Sequence, residues 1–239
     1  LQVKEKATGK LEISVMSDIN DEEGQPIADW DTKYTVMGNG DVLVENNFAM
    51  SHDDLPEIVR MGMNLVMPRS YDNITWYGRG PQESYWDRKT GALVGLYSGK
   101  VADQYWAYLR PQENGNKTDV RWMSITNDSG MGLMFIGQPL ISVSAHHNIM
   151  EDFESRERTA RLAGTNKRPV NRHTTDVKPR DLTSVNIDFK QMGVGGDDSW
   201  GARTHPEYRL TERSYQYSFM IRPLSSGSNP GEIAELRYQ

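Results

Sequence analysis

The chain has 239 residues (27.2 kDa), 27 basic and 33 acidic side chains, a net charge of −6 and a pI near 5.4. That length suits one large domain or two small ones, and the acidity argues against nucleic acid or an anionic membrane as the main partner. A mean hydropathy of −0.70, with no apolar run near ~18 residues, excludes a helical membrane span, and the absence of cysteine excludes disulfides, thiolate metal ligands and cysteine catalysis. Leu1 to Lys6 lack the apolar core of a signal peptide, and with no initiator Met the chain reads as a piece of a longer polypeptide; compartment stays open between cytoplasm and periplasm. Six Trp and eleven Tyr outnumber five Phe. Such residues suit half-wet strand faces and ligand platforms equally.

Period-2 alternation begins at Leu11-Glu12-Ile13-Ser14-Val15 and predicts a strand. Tyr34 to Met37 and Val42 to Val44 flank Asn39-Gly40, a hairpin signature. Trp122 to Thr126 and Leu133 to Ile136, split by Asn127-Asp128-Ser129-Gly130, predict a second hairpin. Asn148 to about Leu162 carries the one helical pattern, with Ile149, Met150 and Phe153 on one side. Arg156 to Arg180 holds eight basic residues (Arg156, Arg158, Arg161, Lys167, Arg168, Arg172, Lys178, Arg180) against Glu157 and Asp176, and predicts an exposed loop docking on an acidic neighbour. It has none of the interleaved aromatics that nucleic-acid stacking needs. Val185 to Phe189 and Tyr215 to Phe219 alternate again, and Ser225 to Gly231 reads as a linker-like tail, which places a domain over 1–223 and a tail over 224–239. Many short strands without βαβ alternation predict an all-β fold, a large antiparallel β-sandwich with few short helices.

Three segments stand out chemically. Met192 to Gly201 sets three glycines before Asp197, Asp198, Ser199 and Trp200, a shaped loop. One reading is a sugar site, with Asp carboxylates accepting from vicinal hydroxyls and the Trp200 indole lying against a pyranose; the other is a turn whose aspartates cap backbone N–H groups. Trp76 to Arg88 mixes charge with four aromatics around Gly80-Pro81, and Pro111-Gln112-Glu113-Asn114-Gly115 is a third polar turn. No catalytic constellation emerges. The neighbours Asp197 and Asp198 do not straddle a glycosidic bond, His146-His147 lacks zinc spacing and reads as structural, and the Asp18–Gly24 stretch misplaces the glycine of a calcium loop.

Tyr77-Gly78-Arg79-Gly80-Pro81-Gln82-Glu83-Ser84-Tyr85 with Asp87-Arg88 resembles the G-x-G-P-x-E-x-Y-x-D-R signature of bacterial β-galactosidases of glycoside hydrolase family 2. Pro111 to Gly115 with Arg121, and Val185 to Asp188 with Met192 to Trp200, resemble the P-x-E-N-G and N-I-D…M-G-x-G-G-D-x-S-W segments of that family, so the similarity runs from about Gly9 to Pro223. The resemblance implies a C-terminal, galactose-mutarotase-like supersandwich, truncated at its N-terminal side relative to the family. It implies a parent that hydrolyses β-D-galactosides such as lactose with retention, using glutamates and a Mg²⁺ site in a barrel domain outside this chain. No catalytic residue, cofactor or metal is therefore expected here. Trp200 inherits the aromatic wall of a composite sugar pocket, and Gly195, Gly196, Asp197, Asp198 and Ser199 inherit its supporting loop. Other domains of the parent, and a homo-oligomer, are the implied partners. The alternatives are an autonomous carbohydrate-binding or mutarotase-like module and a purely structural interface domain.

Overall fold

Alternation becomes strand along the whole chain. The computed structural model describes residues 1–153, 171–198 and 201–235. Its strands are β1 (Gln2–Ala7), β2 (Lys10–Asn20), β3 (Pro26–Met37), β4 (Val42–Met50), β5 (Arg60–Met67), β6 (Asn73–Gly80), β7 (Leu93–Lys100), β8 (Lys117–Thr126), β9 (Gly132–His146), β10 (Thr183–Gln191) and β11 (Ser214–Leu224), with one helix, α1 (Pro230–Glu235), among the described residues. Short 3₁₀ turns fill several connections. All strand pairs are antiparallel.

Hydrogen bonds run in the order β1-β2-β3-β4-β11-β9-β8-β6-β7, and β10 branches off β9 to pair with β5. The branch makes the layers. β9 gives Gly132–Gln138 to β11 and Ser142–His146 to β10, so its two halves belong to different sheet surfaces. β4 and β11 then face β5 and β10 across the core without sharing a ladder. Asn46 Nδ2 reaches Met63 Sδ at 3.4 Å, Tyr217 OH donates to the Ile187 carbonyl at 3.2 Å, and the Phe189 ring lies 6.1 Å from those of Tyr215 and Tyr217. Such face-to-face contact is how a sandwich buries the apolar half of each alternating strand. Val44, Val120, Met123, Ile125, Phe135, Val143 and Val185 have no exposed surface at all.

Both predicted hairpins form. Gly40 (φ +89°) and Gly130 (φ +81°) take the left-handed positions of the β3–β4 and β8–β9 turns. The first turn is also tied into the core. Asp41, next to Gly40, receives Arg222 of β11 through two parallel bonds, Nε to Oδ1 at 2.9 Å and Nη2 to Oδ2 at 3.0 Å, with side chains 1 % and 9 % exposed.

Two expectations need correcting. The tail is not a linker where it is described: after a turn at 225–229, α1 packs Ile233 against Trp122, Met134 and Leu224, and Arg222 Nη1 donates to the Ile233 carbonyl at 3.0 Å. Apolar Ile233 decides this, since it has a cluster to cover. The helix predicted from Asn148 to Leu162 is a 3₁₀ turn at Met150–Phe153 in its described part, and 154–170 lie outside the described residues. The described end of the basic loop docks on its own chain, with Arg180 gripping Asp152 through two bonds of 2.6 Å.

Asp41→Ala leaves a buried guanidinium without the carboxylate it grips. It should cost about 3–5 kcal/mol in urea unfolding, with the native circular dichroism spectrum retained.

Candidate functional site

The three polar segments, far apart in sequence, meet at one end of the sandwich. The chain leaves β6 through Gly80-Pro81, and Tyr85 and Arg88 pair backbone to backbone (3.0 and 2.9 Å) before β7 begins. The approach to β8 is stitched to this turn. Ser84 N–H donates to the Asn116 carbonyl (2.8 Å), Asn116 Nδ2 to the Ser84 carbonyl (2.9 Å), and Thr118 N–H to Ser84 Oγ (3.0 Å). Glu83, its side chain 6 % exposed, accepts from the Gly115 N–H at 2.7 Å, from Arg88 Nη2 at 2.5 Å and from the Tyr108 hydroxyl. A carboxylate so enclosed is stable only because its lone pairs are filled, and in return it fixes three chain segments. Asp119, half-buried beside it, is gripped by Arg79 (2.5 Å) and Lys89 (2.9 Å).

Arg60 at the start of β5 is the centre of a second cluster. It donates to Glu113 (2.9 Å) and Gln191 (2.8 Å) and lies 3.3 Å from Asp188 on β10. Burial pushes the Asp188 carboxyl up to about 7 and Arg60 pulls it down only in part, while Glu113 raises it further. Glu113 is also raised, chiefly by burial. Gly62 makes room for this charge, since a Cβ there would lie 1.8 Å from Asp188 Oδ1. Lys117, 1 % exposed over the Trp76 ring at 5.3 Å, is lowered by burial to about 8. His146 is buried against Phe153, hydrogen-bonded through Nε2 to the Asn114 carbonyl (3.0 Å), and desolvation lowers it to about 4. Together with Tyr85 and Tyr108, Arg60, Arg88, Glu113 and Gln191 line a cleft of about 690 Å³.

The glycine-rich loop rims that cleft. Met192 N–H donates to the Val59 carbonyl (2.9 Å), Gly193 N–H to that of Tyr208 (2.8 Å), and Gly195 N–H to Asp87 Oδ2 (2.7 Å). Gly193 is required here, since its Cβ would sit 2.6 Å from the Asp87 carboxylate. Asp198 Oδ1 accepts from the Ala202 N–H (3.2 Å), and Asp197 Oδ1 lies 2.9 Å from His205 Nε2, which raises the His205 pKa. Both carboxylates bond within their own loop in this structure. Ser199 and Trp200 lie outside the described residues. Sequence reasoning missed Arg60, which stands in no motif, and the pairing of Asp188 with it; the polar positions of the alternating run Val185 to Phe189 read as a solvent-facing set, and nothing local marks Asp188 as buried.

Fold and site define a class: an all-β sandwich domain whose end loops, held by enclosed ion pairs, build one polar cleft. Residues 2–221 match the family model described as Beta galactosidase small chain, and the chain belongs to that family. It is 43% identical over 192 residues to a β-galactosidase of Priestia megaterium, covering 80% of this chain and 17% of that protein. It is 33% identical over 196 residues to one of Vibrio cholerae, covering 82% and 17%. The chain thus spans about a sixth of the length of these curated relatives. A galactose 1-epimerase from Lactobacillus acidophilus is similar in structure at a TM-score of 0.44 and 8% identity, over 93% of this chain and 65% of that one.

The buried charges have two measurable effects. Because the folded state favours protonated Asp188, its stabilising contribution is complete below the ordinary carboxyl pKa near 4 and is lost as pH rises through about 7. Urea unfolding of wild type and Asp188→Asn from pH 4 to 8 should show the wild-type margin shrinking across that window. Lys117→Met removes a desolvated ammonium at similar volume and should raise stability at pH 7 by about 1–3 kcal/mol, read as a higher thermal midpoint.

Proposed function

We propose that this chain is a non-catalytic domain of a β-galactosidase and forms one wall of its galactoside pocket. The observation that carries the reading is the convergence of the three family segments on one cleft, with the base of the glycine-rich loop pinned from below by Asp87 and from the side by Val59 and Tyr208. A loop so anchored gives Trp200, further along the same segment, a fixed base, and an indole is a suitable plate for the C–H face of a galactosyl ring. Hydrolysis of the bond, with retention, falls to two glutamates in the barrel domain of the parent. Among the described residues no three His, Asp or Glu side chains gather where they could hold a metal ion, and the Mg²⁺ expectation belongs to that same barrel.

A second reading has its own observation: the cleft gathers the polar side chains of Arg60, Tyr108, Glu113 and Gln191, a set of donors and acceptors of the kind a sugar-binding module uses. The two readings differ in affinity. One stacking face rarely offsets the cost of immobilising a ligand, so a composite wall binds galactose weakly by itself.

In the full-length enzyme, Trp200→Ala should raise KM for a nitrophenyl β-galactoside roughly ten-fold while the unfolding midpoint stays unchanged. A shift in stability without a change in KM would assign Trp200 to packing instead. The isolated chain should neither hydrolyse the substrate above background nor bind galactose or lactose in calorimetry below about 10 mM. Tighter binding would favour the autonomous module.

A further inference from the structure

The β8–β9 ladder is broken in the middle of the sheet. Trp122 pairs with Ile136 and Val120 with Ile141, so four residues of β9, 137–140, have no partner on β8; the next pair is Lys117 with Val143, where β8 in turn carries an extra residue. The strands part there around a cavity of about 240 Å³, closed on the other side by the end of β10 and by Trp86. Asp119 stands at this break with φ +53°, a left-handed conformation unusual for a residue with a side chain. Strain of that kind persists only where its surroundings enforce it, and it gathers at ligand sites.

We propose that this cavity binds a small organic carboxylate with a flat apolar body. The wall supplies both halves of such a ligand's complement. Trp86, Phe189, Leu140 and Ile141 offer apolar surface. Lys190 supplies the charge: its Nζ sits 4.4 Å from the centre of the Trp86 ring and 5.2 Å from that of Phe189, and it has no carboxylate partner among the described residues. Ring faces attract the cation but accept few of its three N–H donors, so it still seeks an anionic oxygen. Lys89 does not cancel this need, because it shares the single carboxylate of Asp119 with Arg79. Two lining cations, Lys89 and Lys190, against the one carboxylate of Asp119 leave the cavity electropositive, and its low-dielectric aromatic walls strengthen the attraction for an anion. A neutral sugar would gain little from Lys190, and a phosphate would leave the apolar wall uncovered. The proposal goes beyond the pocket-wall reading and does not depend on it.

The test is a titration of this chain with phenylacetate, following the Trp86 indole N–H by NMR and assigning it with Trp86→Phe. Saturation with a midpoint of about 1–10 mM is expected. Neutral phenylacetamide, and phenylacetate on Lys190→Met, should each bind on the order of ten-fold more weakly. The amide comparison uses wild-type protein, so it stands even if the variant folds poorly. No saturable shift up to about 50 mM, or equal midpoints for acid and amide, would overturn the proposal. So would binding to this chain that disappears in the full-length enzyme, which would assign the position to an acidic side chain of a neighbouring domain.

Discussion

β9 has to satisfy three neighbours at once, and most of the architecture derives from how it does so. Its first half ladders with β11, its second with β10, and β8 runs along both. One strand cannot lie flat in two layers, so the ladder to β8 gives way between residues 136 and 141 and the sheet turns there. The consequence reaches the polar end of the molecule. β10 carries Asp188 and Gln191 to Arg60 and then feeds the glycine-rich loop, while the approach to β8 is held against the turn after β6.

Charge is used in this fold as a fastener. Glu83, Asp188 and Asp41 are enclosed and Asp119 is half-buried, and each grips an arginine or lysine. Such pairs add little net stability, since the desolvation of both partners offsets their attraction. What they do provide is a single geometry for loops that have few apolar residues of their own. Seating the cleft and the glycine-rich loop on these fasteners gives the chain a rigid end surface, which a wall contributed to a composite pocket needs.

The functional reading rests on two different kinds of support. Membership of the β-galactosidase small-chain family comes from the match over 2–221 and from relatives of which this chain spans about a sixth. The role of the end surface is argued from the site, because a fold of this kind does not by itself choose a function.

The sequence by itself determined the strands and the turns between them. Alternation at Leu11–Val15, Trp122–Thr126, Val185–Phe189 and Tyr215–Phe219, and the Asn39-Gly40 turn, are local signals that need no partner to be read. It also marked the three polar segments, because glycines beside carboxylates are uncommon in strands. Only the tertiary structure decided what those segments are joined to. Arg60 finds Asp188 and Gln191 across more than a hundred residues, and Ile233 turns an apparent linker into a packed helix. Such pairings depend on which faces the folded sheets bring together, and no local pattern of residues encodes that.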